Sequence, residues 1–553
     1  MIPQRGAAGQ AAGLSGLREG LLVALAGLAA TVAVTYPLAL HPASLTRANL
    51  DDGRFSIWNV AWVARTLVVD PLHVFDANIF YPNTSTLAYS EHNLGAGILA
   101  IPTYWLSGRD PYLAHNVTVL AAFVLTFLGT YYLVRYLTAA RGASLIAAAA
   151  FAFTPFILAH TPHIQLLMDA FLPISMLAFH RLADRPTVGR GAQLGVAMAA
   201  QAICCGYYAV FIVFAVGFSV IVVAWTRRLW TDRAYWIAIA AAAALSVVIV
   251  WPIFLPYERF QQVGVLDRPL SESARWSADW RSYLASAAYA HAPLRRAIGH
   301  WAEVMFPGGV AIVGGVLGLR RAWADGRREL VAIYGGLAAL ALWASFGPSA
   351  GLYRLLYKFV PVFGLLHAPS RFGLVVALGL CVLAGVGYAH VLSMIRQRTF
   401  VASILTVVAV AELAVGIDFR PPPVLSPAYR VLAGLPRAPV VELPFFEIRG
   451  LYPRHTNYML ASTAHWMPLV NGYSDYFPDD FVRDAVLIAP FPFPSAFKVL
   501  EQDGVRYAMV HLDVYDQKTR AEVEGRLVQF EAALRPLYVD HNTRLFEIVG
   551  YPK

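Results

Sequence analysis

Long apolar runs without charge alternate with short breaks that carry arginine along most of the chain. Runs 21–40, 113–136, 144–159, 166–179, 235–254, 372–391 and 401–417 read as membrane spans. Residues 191–226 are too long for one helix and read as two spans, with Gly206-Tyr207-Tyr208 as the turn between them. Residues 311–319 and 330–346 complete about eleven transmembrane helices. The run 94–106 is short and contains Pro102, so it reads as re-entrant or interfacial. The first run is too long for a signal peptide, and no small-x-small cleavage site follows it. It is therefore read as an uncleaved span with the N-terminus in the cytoplasm.

The more polar segments between runs are 41–92, 256–300 and 347–371, with a short turn at Pro162-His163-Ile164-Gln165. From about Asp418 the pattern changes, through Pro421-Pro422-Pro423, to that of a globular domain. Strand-like runs lie at 439–444 and 505–510, and a hairpin at 537–549 turns at His541-Asn542-Thr543. Amphipathic stretches at 480–488 and 518–534 read as helices. The expected fold is a polytopic α-helical membrane protein, 1–417, followed by an extracytoplasmic α/β domain, 418–553.

Composition agrees with that pattern. Of 553 residues, 58% are hydrophobic and 14% charged, against about 25% charged in soluble proteins. The net charge of +9 does not call for nucleic acid. Its arginines cluster at the ends of apolar runs, as at Arg135 and Arg141, Arg181 with Arg185, Arg227-Arg228, Arg327-Arg328 and Arg396 with Arg398. With the N-terminus inside, every such cluster falls on the cytoplasmic side, as the positive-inside rule requires. Cys204, Cys205 and Cys381 all lie in apolar runs and form neither a disulfide framework nor a metal-ligand spacing.

Candidate chemistry concentrates on the outer side. Asp51 and Asp52 follow the first span and precede Phe55, Trp58 and Trp62. An adjacent acidic pair is most often a solvated loop or a helix cap. Near an apolar surface it also serves as a base, or as a cation ligand together with Glu91, which closes the same segment beside His92. Asp52 and Glu91 are the candidate metal ligands, for Mg or Mn. His163 and Gln165 sit on another outer turn, and Asp169 follows Gln165 by one helical turn inside an apolar run, where an ionisable group is costly. Glu412 has a similar setting near the last span, with an outer-loop arginine as its expected partner. Arg371 opens a span on the outer side, against the charge trend. It is either a headgroup-snorkelling arginine or, with His367, a ligand for a lipid phosphate. Arg259 and Arg268 are weaker candidates for that task. Trp276, Trp280 and Tyr283 recur at helical spacing and read as an interfacial aromatic belt, or as a sugar-stacking platform. No Walker loop, dinucleotide fingerprint, nucleophile elbow or His-Glu-x-x-His motif is present.

The segments DDGRFSIWNVAW, FDANIFYPNTSTLAYSEHNLG, PHIQ, HAPSRFGL and HWMPLVNGYSDY resemble those of bacterial multi-span membrane glycosyltransferases. The order of first span, acidic outer segment, many spans and outer domain resembles the GT-C superfamily. That resemblance implies a polyprenyl-phosphate-linked sugar as donor and a catalytic or metal-binding acid at Asp51 or Asp52. It implies work on the periplasmic face of the bacterial inner membrane, with an envelope glycan, lipid or protein as acceptor. Glu91, His92, His163, Gln165, Asp169, His367 and Arg371 are then the candidate substrate contacts. The rival reading is a lipid-linked-glycan transporter, or a non-catalytic envelope assembly protein, on the same scaffold. A transporter gathers its polar groups near the bilayer midplane, whereas here all but Asp169 lie toward the outer surface.

Overall fold

The computed structural model describes residues 6–262, 268–299 and 303–552. The chain divides into two compact units, one of 1–41, 118–255 and 266–418, the other of 42–117, 256–265 and 419–553.

Seven helices among the described residues are long and apolar enough to cross a membrane. They are Gly16–Val34, Pro111–Thr138, Arg141–Ala159, Ile164–Asp184, Gly206–Thr226, Arg233–Glu258 and Pro369–Ser393. The protein is a multi-pass membrane protein. Four of the eleven expected spans fall on shorter helices: Val188–Cys204, Gly309–Ala324, Gly336–Ser345 and Arg398–Leu413. Small residues let the helices of the first unit approach closely. A Cβ on Gly318 would lie 1.8 Å from the Leu383 carbonyl oxygen, and one on Gly387 2.3 Å from that of Gly314. These contacts join Gly309–Ala324 to Gly373–Ser393 with almost nothing between their backbones.

The arginine-bearing breaks meet at one end of this unit. Arg135 and Arg141 pair with Glu19 at 3.0 and 2.6 Å. Arg227 bridges Asp184 and Glu329 at 3.0 and 2.7 Å. The Tyr136 hydroxyl donates to Asp184, and Arg327 donates to the Leu137 carbonyl. Breaks that the charge pattern assigns to one side of the membrane thus lie together in space.

The second unit is built on a four-stranded sheet. Its strands are Val440–Leu443 (β1), Tyr507–His511 (β2), Leu534–Val539 (β3) and Thr543–Ile548 (β4). Their order is β1-β2-β4-β3, with β1 and β2 parallel and the other pairs antiparallel. The parallel pair requires a crossover, which carries the helices Asp479–Ile488 and Pro494–Gln502. The Asp540 side chain closes the β3–β4 turn by accepting the amides of Asn542 and Thr543.

Residues 42–117 belong to this same unit and are not a loose loop. Residues Asp51–Val69 form a 19-residue helix with most of its length buried. It packs on Leu94–Leu106 so closely that a Cβ on Gly97 would lie 2.2 Å from Val63. The buried Trp58 donates to Asn78, which in turn donates to Ser462 and to the Met467 carbonyl. Backbone bonds join Leu469 to Asn78, Phe80 to Asn471 and Tyr81 to Leu469, and Thr46 and Arg420 exchange a pair of them. The first polar segment and the tail therefore share one core.

Candidate functional site

Asp51 and Asp52 occupy the first turn of the helix Asp51–Val69, where carboxylates complement the exposed N–H groups of a helix start. The two are not equivalent. Asp51 is bound by the Arg54 guanidinium. Arg54 also donates to the Ala48 carbonyl at 2.8 Å and to the Thr456 hydroxyl at 3.0 Å. Asp51 is thus part of a staple that fixes the helix start to the tail. Asp52 is solvent-exposed.

The tail segment 471–476 lies against this turn. Tyr473 meets Phe55 edge-on, with ring centroids 6.1 Å apart. Burial, and after it the charges of Asp52, Asp475 and Asp51, push the Tyr473 phenol above its ordinary value. The same segment reaches the far end of 41–92. The Ser90 hydroxyl donates to Asp475 at 2.9 Å, and Tyr257 donates to the Ser90 carbonyl at 2.7 Å. Glu91 follows, half-buried. Tyr473 and Asp475 therefore bring Asp51-Asp52 and Ser90-Glu91 into one polar patch. Neither was among the residues singled out from sequence, although both lie in the acidic and aromatic segment HWMPLVNGYSDY.

The placement of this segment depends on two neighbours. A Cβ on Gly472 would lie 2.6 Å from the Phe80 ring. Phe80 itself sits at φ 56, a left-handed conformation that bulky residues rarely adopt. It is held there by edge contacts with Phe477 and Phe481. His92 is buried, accepts the Leu94 amide on Nδ1 at 3.0 Å, and is lowered by burial to about 4. It is neutral at pH 7 and its placement is that of a capping side chain. Among the described residues no group of three or more His, Cys, Asp or Glu side chains gathers as metal ligands.

A second polar group lies in the first unit. Arg371 sits in the turn Pro369–Phe372, its guanidinium 4.2 Å from the centroid of the Tyr207 ring. The Tyr207 hydroxyl accepts the His367 amide at 2.9 Å and is hydrogen-bonded to His367 Nδ1 at 2.6 Å. Burial, followed by the charges of Arg371 and Arg268, holds His367 down to about 3. The rings of His160 and His163 are 5.8 Å apart. Glu303 accepts from the Ser370 hydroxyl at 3.2 Å and lies within electrostatic reach of Arg371 and His163. Burial raises Glu303 above the ordinary carboxylate range. Arg371 and His163 thus both lie within electrostatic reach of Glu303, which sequence reading did not single out, and His367 is joined to Arg371 through Tyr207.

Other expectations need correction. Gln165 and Asp169 do not share a helix face. The helix Ile164–Leu167 ends at Met168, whose carbonyl is taken by the Gln201 side chain at 2.8 Å. Gln165 is half-buried. Asp169 is buried and accepts from Thr126. Trp276, Trp280 and Tyr283 are not on one helix, because Leu270–Arg275 stops before them. Among the described residues Glu412 pairs with no arginine. It accepts from His291 and from the amides of Gly309 and Val310. The Arg259 side chain lies outside the described residues.

Compared by sequence, the chain matches no family model and no curated protein. Compared by structure, it is similar to the oligosaccharyltransferase of Archaeoglobus fulgidus in its apo form. The TM-score is 0.50 at 13% identity, over 94% of this chain and 72% of that one. It is also similar to the arabinofuranosyltransferase AftD from mycobacteria. There the TM-score is 0.55 at 15% identity, over 95% of this chain and 41% of that one. Both are GT-C glycosyltransferases. This chain has the GT-C fold. At these identities the likeness carries the fold and not the chemistry. Within this fold the polar groups form two sets, an acidic one around Asp52 and a basic one around Arg371.

Proposed function

We propose that this chain is a membrane glycosyltransferase. It moves a sugar from a polyprenyl-phosphate donor to a cell-envelope acceptor on the periplasmic face of a bacterial inner membrane. The observation that carries this reading is the inequality of the acidic pair on a GT-C fold. Asp51 is bound by Arg54, and Asp52 is exposed and, like Asp475, within electrostatic reach of Tyr473. An exposed carboxylate with nearby negative charge and a buried aromatic wall is suited to take a proton from a sugar hydroxyl.

In the proposed reaction Asp52 accepts the hydroxyl proton of the acceptor as that oxygen bonds to the anomeric carbon. The bond from this carbon to the donor phosphate breaks, and its electron pair leaves with the lipid phosphate. Direct displacement inverts the anomeric centre. Arg371, over the Tyr207 ring, supplies the planar fork that suits a phosphate, with His163 as a second donor. The neutral His367 holds the Tyr207 hydroxyl and so orients the ring under Arg371.

Reconstitution into vesicles loaded with a mixture of polyprenyl-phosphate sugars tests the proposal. A transferase releases polyprenyl phosphate when envelope acceptors are added, and no release overturns it. The rival transporter reading draws on Asp169 and Gln201, whose Oδ2 and Oε1 are buried without a hydrogen-bond partner among the described residues. A transporter moves the intact donor across the bilayer with no release of lipid phosphate.

A further inference from the structure

A cavity of about 1100 Å³ lies at the end of the first unit where the arginine breaks meet. Its volume matches the upper range of small-molecule sites, roughly 300–1,000 Å³. Arg18, Arg135, Arg141 and Arg398 line it, with Glu19 as the sole acidic lining residue. Glu19 accepts one N–H of Arg135 and two of Arg141. Arg18 and Arg398 are exposed, and neither forms an ion pair among the described residues. Four guanidiniums therefore face one carboxylate, and the lining carries excess positive charge. The wall also carries the hydroxyls of Thr138, Ser393, Thr399 and Ser403, and an apolar strip from Leu22, Val23, Ala26 and Leu145. The first helix, Gly16–Val34, supplies part of that wall, yet only 22% of its apolar window is buried. Leu17, Leu21 and Leu25 on it are exposed.

A basic pocket that runs onto an uncovered apolar helix matches an amphiphile with an anionic head, not a free ion. We propose that this cavity binds an anionic phospholipid. Arg18 and Arg398, with the uncommitted donors of Arg135, hold the headgroup phosphate, and the acyl chains lie along the first helix. The site stands apart from the proposed transfer chemistry and does not rest on it.

The full chain in phosphatidylcholine nanodiscs, titrated with phosphatidylglycerol and read by native mass spectrometry, tests this. Each arginine at an anionic headgroup contributes about fivefold in affinity, so Arg18→Gln with Arg398→Gln is expected to weaken phosphatidylglycerol binding about 30-fold. Both residues are exposed and unpaired, so the double variant keeps the fold, which unchanged thermal unfolding verifies. The charge-retaining pair Arg18→Lys and Arg398→Lys is expected to stay within about threefold of the parent protein. Binding that survives the glutamine pair within twofold overturns the proposal. So does displacement of the lipid by an equal concentration of inorganic phosphate, because the site would then select a free ion.

Discussion

Asn471→Ala should release the segment that joins the two ends of the acidic patch. On its open side β1 is paired by backbone first, through Val440 N–H to the Pro468 carbonyl and Val470 N–H to the Val440 carbonyl. Two residues further on, the Asn471 side chain takes over that pairing. Its Oδ1 accepts the Glu442 amide and its Nδ2 donates to the Glu442 carbonyl, both at 2.8 Å. Its Nδ2 also meets His455 Nδ1 at 3.1 Å. A buried hydrogen bond contributes about 1 kcal/mol net, so the three together are worth about 3 kcal/mol. Removing Asn471 leaves the Glu442 backbone buried and unpaired, which makes 3 kcal/mol a lower bound of its order. Hydrogen exchange on the full protein in detergent reads the effect directly. Amides of 442–443 and 471–476 should exchange about a hundredfold faster, while those of β3 and β4 stay within about threefold. Exchange unchanged across 442–476 would refute the idea that this side chain holds the segment.

Three further outcomes follow from the same geometry. Arg371→Lys keeps the charge but loses the guanidinium over Tyr207 and its planar fork, so donor KM should rise about tenfold with kcat little changed, read by steady-state transfer. His92 and His455 are buried and lowered to about 4 and about 3 from an ordinary 6.5. Both are neutral in the fold and become charged in the unfolded chain below pH 6.5, so the stability they secure is present above that pH. It is lost as pH falls toward 4, by about 1.4 kcal/mol per group per pH unit, and unfolding scans from pH 7.5 to 5 should show the decline only below 6.5. Gly318→Ala places a methyl group against the Leu383 carbonyl, and should lower the thermal midpoint by an amount equivalent to about 2 kcal/mol, while the exposed Gly525→Ala should not.

Sequence pattern was most informative where structure is local. β1 lies directly between Pro439 and Pro444, and the β3–β4 turn follows from Asp540 and its two amides. The arginine breaks likewise report one physical demand, that charge stay out of the hydrocarbon. The helix Asp51–Val69 was hidden because its first turn is polar and its apolar remainder merges with the aromatic residues of the same segment. Its real partner, the tail, lies some 400 residues away. The Gln165–Asp169 spacing misled for a related reason. The helix ends at Met168, whose carbonyl takes the Gln201 side chain, a partner that no local window contains. Glu303 and Tyr473 carry no motif of their own. Each becomes a site candidate only through residues that the fold brings from afar, Ser370 and Arg371 for the one, Asp52 and Asp475 for the other. The inequality of Asp51 and Asp52 is of the same kind, because it depends on Arg54 reaching Thr456.

That inequality is the central claim, and one measurement addresses it most directly. Cells lacking the chain are complemented with Asp51→Asn or Asp52→Asn, and their envelope glycans are compared by mass spectrometry at matched protein levels. The account predicts that Asp52→Asn lowers the transferred sugar about 10²- to 10⁴-fold, the share of a general base. Asp51→Asn should leave it within about tenfold, its loss arising from the weakened Arg54 staple. Undiminished transfer by Asp52→Asn, or a larger loss with Asp51→Asn, would contradict it.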